Sequence, residues 1–172
     1  MRSYPIIEGR KIRIGLVGCG RIAKNHFDSI ATYPDEFELV SICDNDPTAL
    51  QLATDTYKVT SYLSLTEMLK KEEIDAVSIC TPSGIHPEQT IEIAEAGAHV
   101  ISEKPMATRW SDGVKMVKAC DSAGVRLFVV KQNRRNTTLR LLKRAIEEKR
   151  FGRIYMVNIN VFWTRPQEYY DQ

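Results

Sequence analysis

A doubly wound α/β fold, a parallel sheet covered by helices on both faces, is predicted by three observations. Short apolar runs alternate with helical stretches along most of the chain, which implies right-handed crossovers between parallel strands. The run Ala76-Val77-Ser78-Ile79-Cys80 is nearly continuous in apolar character, as a strand buried on both faces requires. A glycine-rich turn follows the first run directly and opens a helix, the place where such folds approach a phosphate.

Taken in order, residues 12–17 read as the first strand and 39–43 as the second, with a helix between them. Asp46 before Pro47 starts the second helix, because the carboxylate can take an orphan N–H and proline fits the first helical position. A weak strand at 59–62 precedes Ser64 and Glu67, a capping-box pair that opens the third helix. Strands follow at 76–80, 99–102 and 127–130; Gly97 and Gly124 close the helices before the last two, and Ser111 before Asp112 is the expected start of the fifth helix. Beyond 130 a polar stretch leads into an amphipathic helix with Leu139, Leu142, Ala145 and Ile146 on one side. Residues 153–163 then alternate, with Tyr155, Val157, Ile159, Val161 and Trp163 on one face, and read as one long strand. Residues 1–133 are therefore expected to form a dinucleotide-binding domain. Residues 134–172 are expected to be a connecting helix and the first strand of an incomplete C-terminal substrate domain. A lone strand needs neighbours, so the chain reads as a fragment or as a subunit whose partner completes the sheet.

The 172 residues suffice for one domain or one domain and part of a second, and 43% apolar with 27% charged residues lies in the globular range. The 24 basic and 22 acidic side chains leave +2, too little for a general attraction to nucleic acid or anionic membrane. Residues 126–153 differ: ten Lys or Arg meet two acids, a net of +8, which suits an anionic ligand or a solvated helix face. Cys19, Cys43, Cys80 and Cys120 form no close pair, so neither a zinc site nor a redox motif is expected and no metal is predicted. The apolar runs are far shorter than a bilayer span, and residues 1–11 have no signal-peptide core. A reduced, cytoplasmic protein is expected.

The chemistry concentrates at strand ends. In Gly18-Cys19-Gly20-Arg21-Ile22-Ala23, Gly18 permits a tight turn, Gly20 lets backbone approach a pyrophosphate, and small Ala23 allows close helix–strand packing. Asp44, 26 residues after Gly18, can accept both hydroxyls of an adenine ribose and would repel a 2′-phosphate, which favours NAD over NADP. A turn without cofactor, and a methyltransferase with its own Gly-rich loop and strand-end acid, are the competing readings. Thr81-Pro82-Ser83-Gly84-Ile85-His86 and Ser102-Glu103-Lys104-Pro105 follow the fourth and fifth strands. Lys104 reads either as a solvated surface charge or as an ammonium that polarises a substrate hydroxyl and stabilises the alkoxide as hydride leaves. Pro105 fixes the local backbone and favours aiming the lysine inward. His86 reads either as a cofactor contact or as a helix cap, and His26 and His99 as packing residues.

The glycine turn, Asp44, Thr81 to His86, Ala96-Gly97-Ala98-His99-Val100 and Glu103-Lys104-Pro105 together resemble the Gfo/Idh/MocA oxidoreductase family, which has a Rossmann domain. Within it, Lys131-Gln132-Asn133-Arg134-Arg135-Asn136 and Trp163-Thr164-Arg165-Pro166-Gln167-Glu168-Tyr169-Tyr170 resemble the UDP-N-acetylglucosaminuronic acid 3-dehydrogenases of surface-polysaccharide synthesis. The resemblance implies NAD-linked oxidation of the C3 hydroxyl of a UDP-sugar, with Lys104 catalytic. Gly18, Cys19, Gly20, Arg21, Ile22, Asp44, Thr81, Pro82, Ser83, His86, Glu103, Lys104 and Gln132 would lie on the cofactor; Lys104, Asn133, Arg134, Asn136 and Arg165 would lie toward the substrate. A neutral polyol as substrate, or a non-catalytic NAD-binding module, is the alternative. Family members continue into a Gly-rich segment whose Asp and His act with the lysine, so this chain is expected to be inactive alone; its uncovered C-terminal strand is expected to mediate a homo-oligomer or to pack against the chain's own dinucleotide domain.

Overall fold

The computed structural model describes residues 6–170; the first residues of the charged N-terminal stretch and the last two of the predicted substrate domain lie outside them. The chain divides into two units between Lys131 and Gln132.

In the first unit, β1 (Ile12–Val17), α1 (Ala23–Thr32), β2 (Phe37–Cys43), α2 (Pro47–Tyr57), β3 (Thr60–Tyr62), α3 (Leu65–Lys71), β4 (Ala76–Ile79), α4 (His86–Glu95), β5 (His99–Ser102), α5 (Trp110–Ala123) and β6 (Leu127–Val129) follow one another. The six strands form one parallel sheet in the order β3-β2-β1-β4-β5-β6. Chain direction across the sheet therefore reverses between β1 and β4, where a doubly wound sheet opens a crevice. Alternation along β1 supplies both layers. Leu16 packs with Phe27 of α1, Ile42, Leu50 and Ala53 of α2, whereas Val17 packs with Leu65 and Met68 of α3, Ile79, and Ile93 of α4. Phe27 also stacks on Tyr57 at 3.9 Å between ring centres.

The predicted helix signals act as expected at α2 and α3: the Asp46 side chain accepts the Thr48 N–H at 2.8 Å, and Ser64 Oγ accepts that of Glu67 at 3.5 Å. Gly124 closes α5 in the left-handed region with φ of 70°. The start of α5 differs from expectation. It begins at Trp110 after Arg109, without a side-chain cap, so Ser111 lies inside the first turn and Asp112 alone supplies favourable negative charge there.

Asp75 ties the lower edge of the sheet. Its carboxylate takes a forked pair from Arg10, at 2.5 and 2.8 Å, and the N–H of Arg13 at 2.8 Å, while its carbonyl accepts the N–H of His99 at 2.8 Å. The Arg10 hydrogen bond, opposed by partial burial and helped by the Arg13 N–H, holds the Asp75 carboxyl below the ordinary carboxylate range. A depressed value stabilises the fold above the unfolded-state range, and that stabilisation is lost as pH falls through the folded-state value. Asp75→Asn is therefore expected to lower stability at neutral pH and to flatten its decline on acidification. Urea midpoints measured from about pH 6 to pH 2 check this; parallel curves for both proteins would contradict it.

The second unit holds a 3-10 turn at Gln132–Arg135, α6 (Thr137–Glu147) and a second 3-10 turn at Gln167–Tyr169. The long strand expected at 153–163 is not formed: these residues have no ladder partner and are exposed, Tyr155 at 92% and Phe162 at 91%. Alternating side chains suit a pleat, but a strand exists only where another backbone accepts its hydrogen bonds. Among the described residues no helix is long and apolar enough to cross a membrane, and no cluster of His, Cys, Asp and Glu could hold a metal.

Candidate functional site at the strand ends

At the carboxyl end of β1, Gly18 has φ of 91° and donates its N–H to Cys43 at 2.8 Å. A Cβ here would lie 2.7 Å from the Cys80 carbonyl carbon and from the Thr81 nitrogen. Glycine is thus required twice, by conformation and by the close passage of the β4 end. A Cβ at Gly20 would meet nothing within 4 Å; the space before α1 is open, as approach of a phosphate demands. Ala23 is fully buried against Leu16 and Phe27, and α1 has no side-chain cap, its Ala23 and Asn25 N–H groups donating to the Gly20 and Ile22 carbonyls at 3.0 and 3.1 Å.

Asp44 follows β2 and folds back over this turn. One carboxylate oxygen accepts the Cys19 N–H at 2.6 Å and the other the Asp46 N–H at 2.9 Å, so the acid fixes the glycine turn while each oxygen keeps a further lone pair. Burial first, and then the Asp44 charge, push the Cys19 and Cys43 thiols up to about 12. Cys80 also rises to about 12 through burial, with Ser78 opposing, and a thiol at neutral pH is a weak attacker.

A cavity of about 490 Å³ is lined by Arg21, Ile22, Lys24, Asn25, Thr81, Glu103 and Lys104. It brings together three segments that the sequence separates widely. Lys24 and Asn25 had no sequence signal beyond following Ala23 on the outward side of α1. Pro82 and Ser83 continue the β4 loop, where the Pro82 carbonyl accepts the Ile85 N–H at 3.1 Å, and the Thr81 hydroxyl donates to Gln89 at 2.5 Å. Lys104 is exposed and lines the cavity beside the buried Glu103.

His86 is neither a cap nor open to a ligand. It is 1% exposed and lacks a capping bond; Nε2 lies 2.9 Å from the Thr81 carbonyl and Nδ1 3.0 Å from that of Pro105. It joins the two strand-end loops from behind. His99 is part of the packing, its Nδ1 accepting the Arg126 N–H at 3.0 Å.

In the second unit, Gln132, Asn133 and Arg134 lie in the first 3-10 turn. Asn136 caps α6 by accepting the Thr138 N–H at 2.9 Å. Arg165 lies over Trp163 at 4.5 Å and over Tyr169 at 4.8 Å, a stacked guanidinium held by two aromatic faces.

Residues 12–131 match the oxidoreductase family with an NAD-binding Rossmann fold, Gfo/Idh/MocA. The chain belongs to this family. Among solved structures, the WlbA dehydrogenase of Bordetella pertussis, in complex with NADH and UDP-GlcNAcA, is 65% identical over 96% of this chain and 50% of that one, with a TM-score of 0.93. The WlbA dehydrogenase of Chromobacterium violaceum, with the same two ligands, is 61% identical over 99% of this chain and 50% of that one, with a TM-score of 0.95. The curated D-apiose dehydrogenase of Paraburkholderia graminis is 31% identical over 83% of this chain and 38% of its own length. The chain thus spans half or less of the length of these relatives.

Proposed function

We propose that this chain binds NAD at the ends of β1, β2, β4 and β5 and serves the oxidation of the C3 hydroxyl of a UDP-N-acetylglucosaminuronic acid-type sugar. The observation that carries the proposal is that Asp44 accepts the Cys19 N–H of the open glycine turn, while Arg21 and Ile22 of the same turn line one cavity with Glu103 and Lys104. Likeness to two dehydrogenases in complex with NADH and UDP-GlcNAcA supports the choice of cofactor and substrate.

In this reading the nicotinamide, when bound, would supply the hydride acceptor, and residues of this chain would bind and orient it. The α1 end and the turn backbone receive the pyrophosphate, the lone pairs left on Asp44 accept ribose hydroxyls, and Glu103 holds the second ribose. The Lys104 ammonium would polarise the C3 hydroxyl and stabilise the developing alkoxide, while the hydroxyl proton would pass to a base as hydride leaves, a role the family resemblance gives to an Asp and a His outside these 172 residues. The substrate's diphosphate and carboxylate call for fork-shaped donors, which Arg134, Arg135 and Arg165 supply, with Asn133 and Asn136 as further substrate contacts and Gln132 as a cofactor contact by the resemblance. Self-association through 153–163 and a cytoplasmic location belong to the same proposal.

Calorimetric titration of the chain with NAD, NADP and S-adenosylmethionine, then with the sugar acid and its neutral UDP-sugar parent, is expected to rank NAD first among cofactors and the acid above the neutral sugar. Preference for S-adenosylmethionine would sink the cofactor assignment, and indifference to the carboxylate would sink the substrate assignment. The mass in solution reads out self-association.

A further inference from the structure

Glu103 lines the cavity, yet it is only 8% exposed. A carboxylate so enclosed needs partners. One oxygen accepts the N–H of Lys104 at 2.9 Å. The other lies 3.1 Å from Nε2 of His26 on α1, an imidazole whose side chain is 13% exposed. The far nitrogen of the same ring, Nδ1, lies 2.7 Å from Oγ of Ser78, a 2% exposed residue of β4. Ser78, His26 and Glu103 thus form a line from the interior of the sheet to the cavity wall, built from three elements.

Donor chemistry gives the line a direction. An ionised carboxylate only accepts, so Nε2 carries the proton that faces Glu103. In the neutral ring Nδ1 is then an acceptor, and the Ser78 hydroxyl donates to it. Every polar atom of the line has a partner, and the imidazole is held at both ends, which fixes its plane and therefore the direction of its Nε2–H.

A Ser–His–acid line also invites a hydrolytic reading, but the geometry opposes it. Ser78 sits within the β4 ladder between β1 and β5, and it does not line the cavity, so no carbonyl can reach its Oγ. The open end of the line is the acid, not the hydroxyl.

We propose that His26, aligned by Ser78, is a positioning residue for Glu103: it holds the carboxylate turned so that its remaining lone pairs face the cofactor ribose. The proposal rests on the NAD reading above. His26 touches no cofactor itself; its effect passes through Glu103 alone.

That restriction makes a double-mutant cycle decisive. In the 172-residue chain, His26→Leu is expected to weaken NAD binding about tenfold by calorimetry, the scale of one hydrogen bond to a charged group. His26→Gln, whose amide N–H can stand near the Nε2 position, is expected to restore most of the loss. In a Glu103→Ala background, His26→Leu is expected to have no further effect. In the NAD-free chain, nitrogen-15 NMR is expected to find the His26 ring protonated at Nε2, and Ser78→Ala is expected to change that tautomer balance. Because Ser78→Ala removes only a hydroxyl, it keeps the test available where His26→Leu does not fold. Equal weakening by His26→Leu with and without Glu103, or a ring protonated at Nδ1 alone, would overturn the proposal while leaving NAD binding in place. A wild-type chain that binds no NAD would overturn the cofactor reading and this proposal with it.

Discussion

Gly18→Ala is expected to destabilise the chain by about 2–6 kcal/mol and to abolish measurable NAD binding. Two costs combine: an L-residue at φ of 91° is strained by about 1–3 kcal/mol, and overpacking adds about 1–3 kcal/mol. The second cost is unavoidable here, because the new Cβ would meet backbone atoms of Cys80 and Thr81 at 2.7 Å and not the end of a flexible side chain. Relief would require β1 and β4 to part at their carboxyl ends, the place where the crevice opens. Measured against a total stability of about 5–15 kcal/mol, the change should be plain in the urea midpoint. An unshifted midpoint with intact NAD affinity would mean that the close passage at Gly18 is wrong.

Asp44→Ala is expected to weaken NAD binding about 100-fold, since each hydrogen bond to a carboxylate lost from the ribose accounts for roughly a tenfold or greater change. The effect on NADP is expected to be much smaller, because removing the acid also removes its repulsion of a 2′-phosphate. The substitution also strands the N–H groups of Cys19 and Asp46, which have the carboxylate as their acceptor, so some loosening of the glycine turn will accompany the loss of affinity. Equal weakening of NAD and NADP would show that Asp44 acts only on the turn.

The parts of the fold written in local pattern could be read from the sequence. β1 and β5 have the expected bounds because each is a short apolar run, and Asp46 and Ser64 cap their helices because capping depends on neighbours two or three residues away. β2 begins earlier than its apolar run, since Phe37 and Glu38 are recruited by pairing with Ile12 and Arg13. At 153–163 the reverse happens: the alternation is present, but no partner backbone turns it into a strand. The site divides in the same way. Gly18, Asp44 and Glu103 stand in motifs, whereas His26, Ser78 and Glu103 meet across separations of 52 and 77 residues, and no periodicity records such a meeting. His86 stood out as the last residue of a motif, yet its two carbonyl partners come from different loops, so its place behind the site became visible only in three dimensions.

The order of the sheet also bears on how the chain reaches this state. Each of the five ladders joins parallel strands, so none can form as a hairpin between adjoining residues, and each must close a loop that contains a helix. β1 stands at the centre with β2 on one side and β4 on the other. An early cluster of β1, α1 and β2 offers the shortest closure that includes this central strand, and β4 docks on its free edge only after α2, β3 and α3 have been spanned. In this order the glycine turn and Asp44 meet first, and Thr81, Glu103 and Lys104 join them only once β4 and β5 have docked beside β1. Pulse-labelling hydrogen exchange during refolding, with amides of β2 protected before those of β4, would trace that order, and the reverse sequence would refute it.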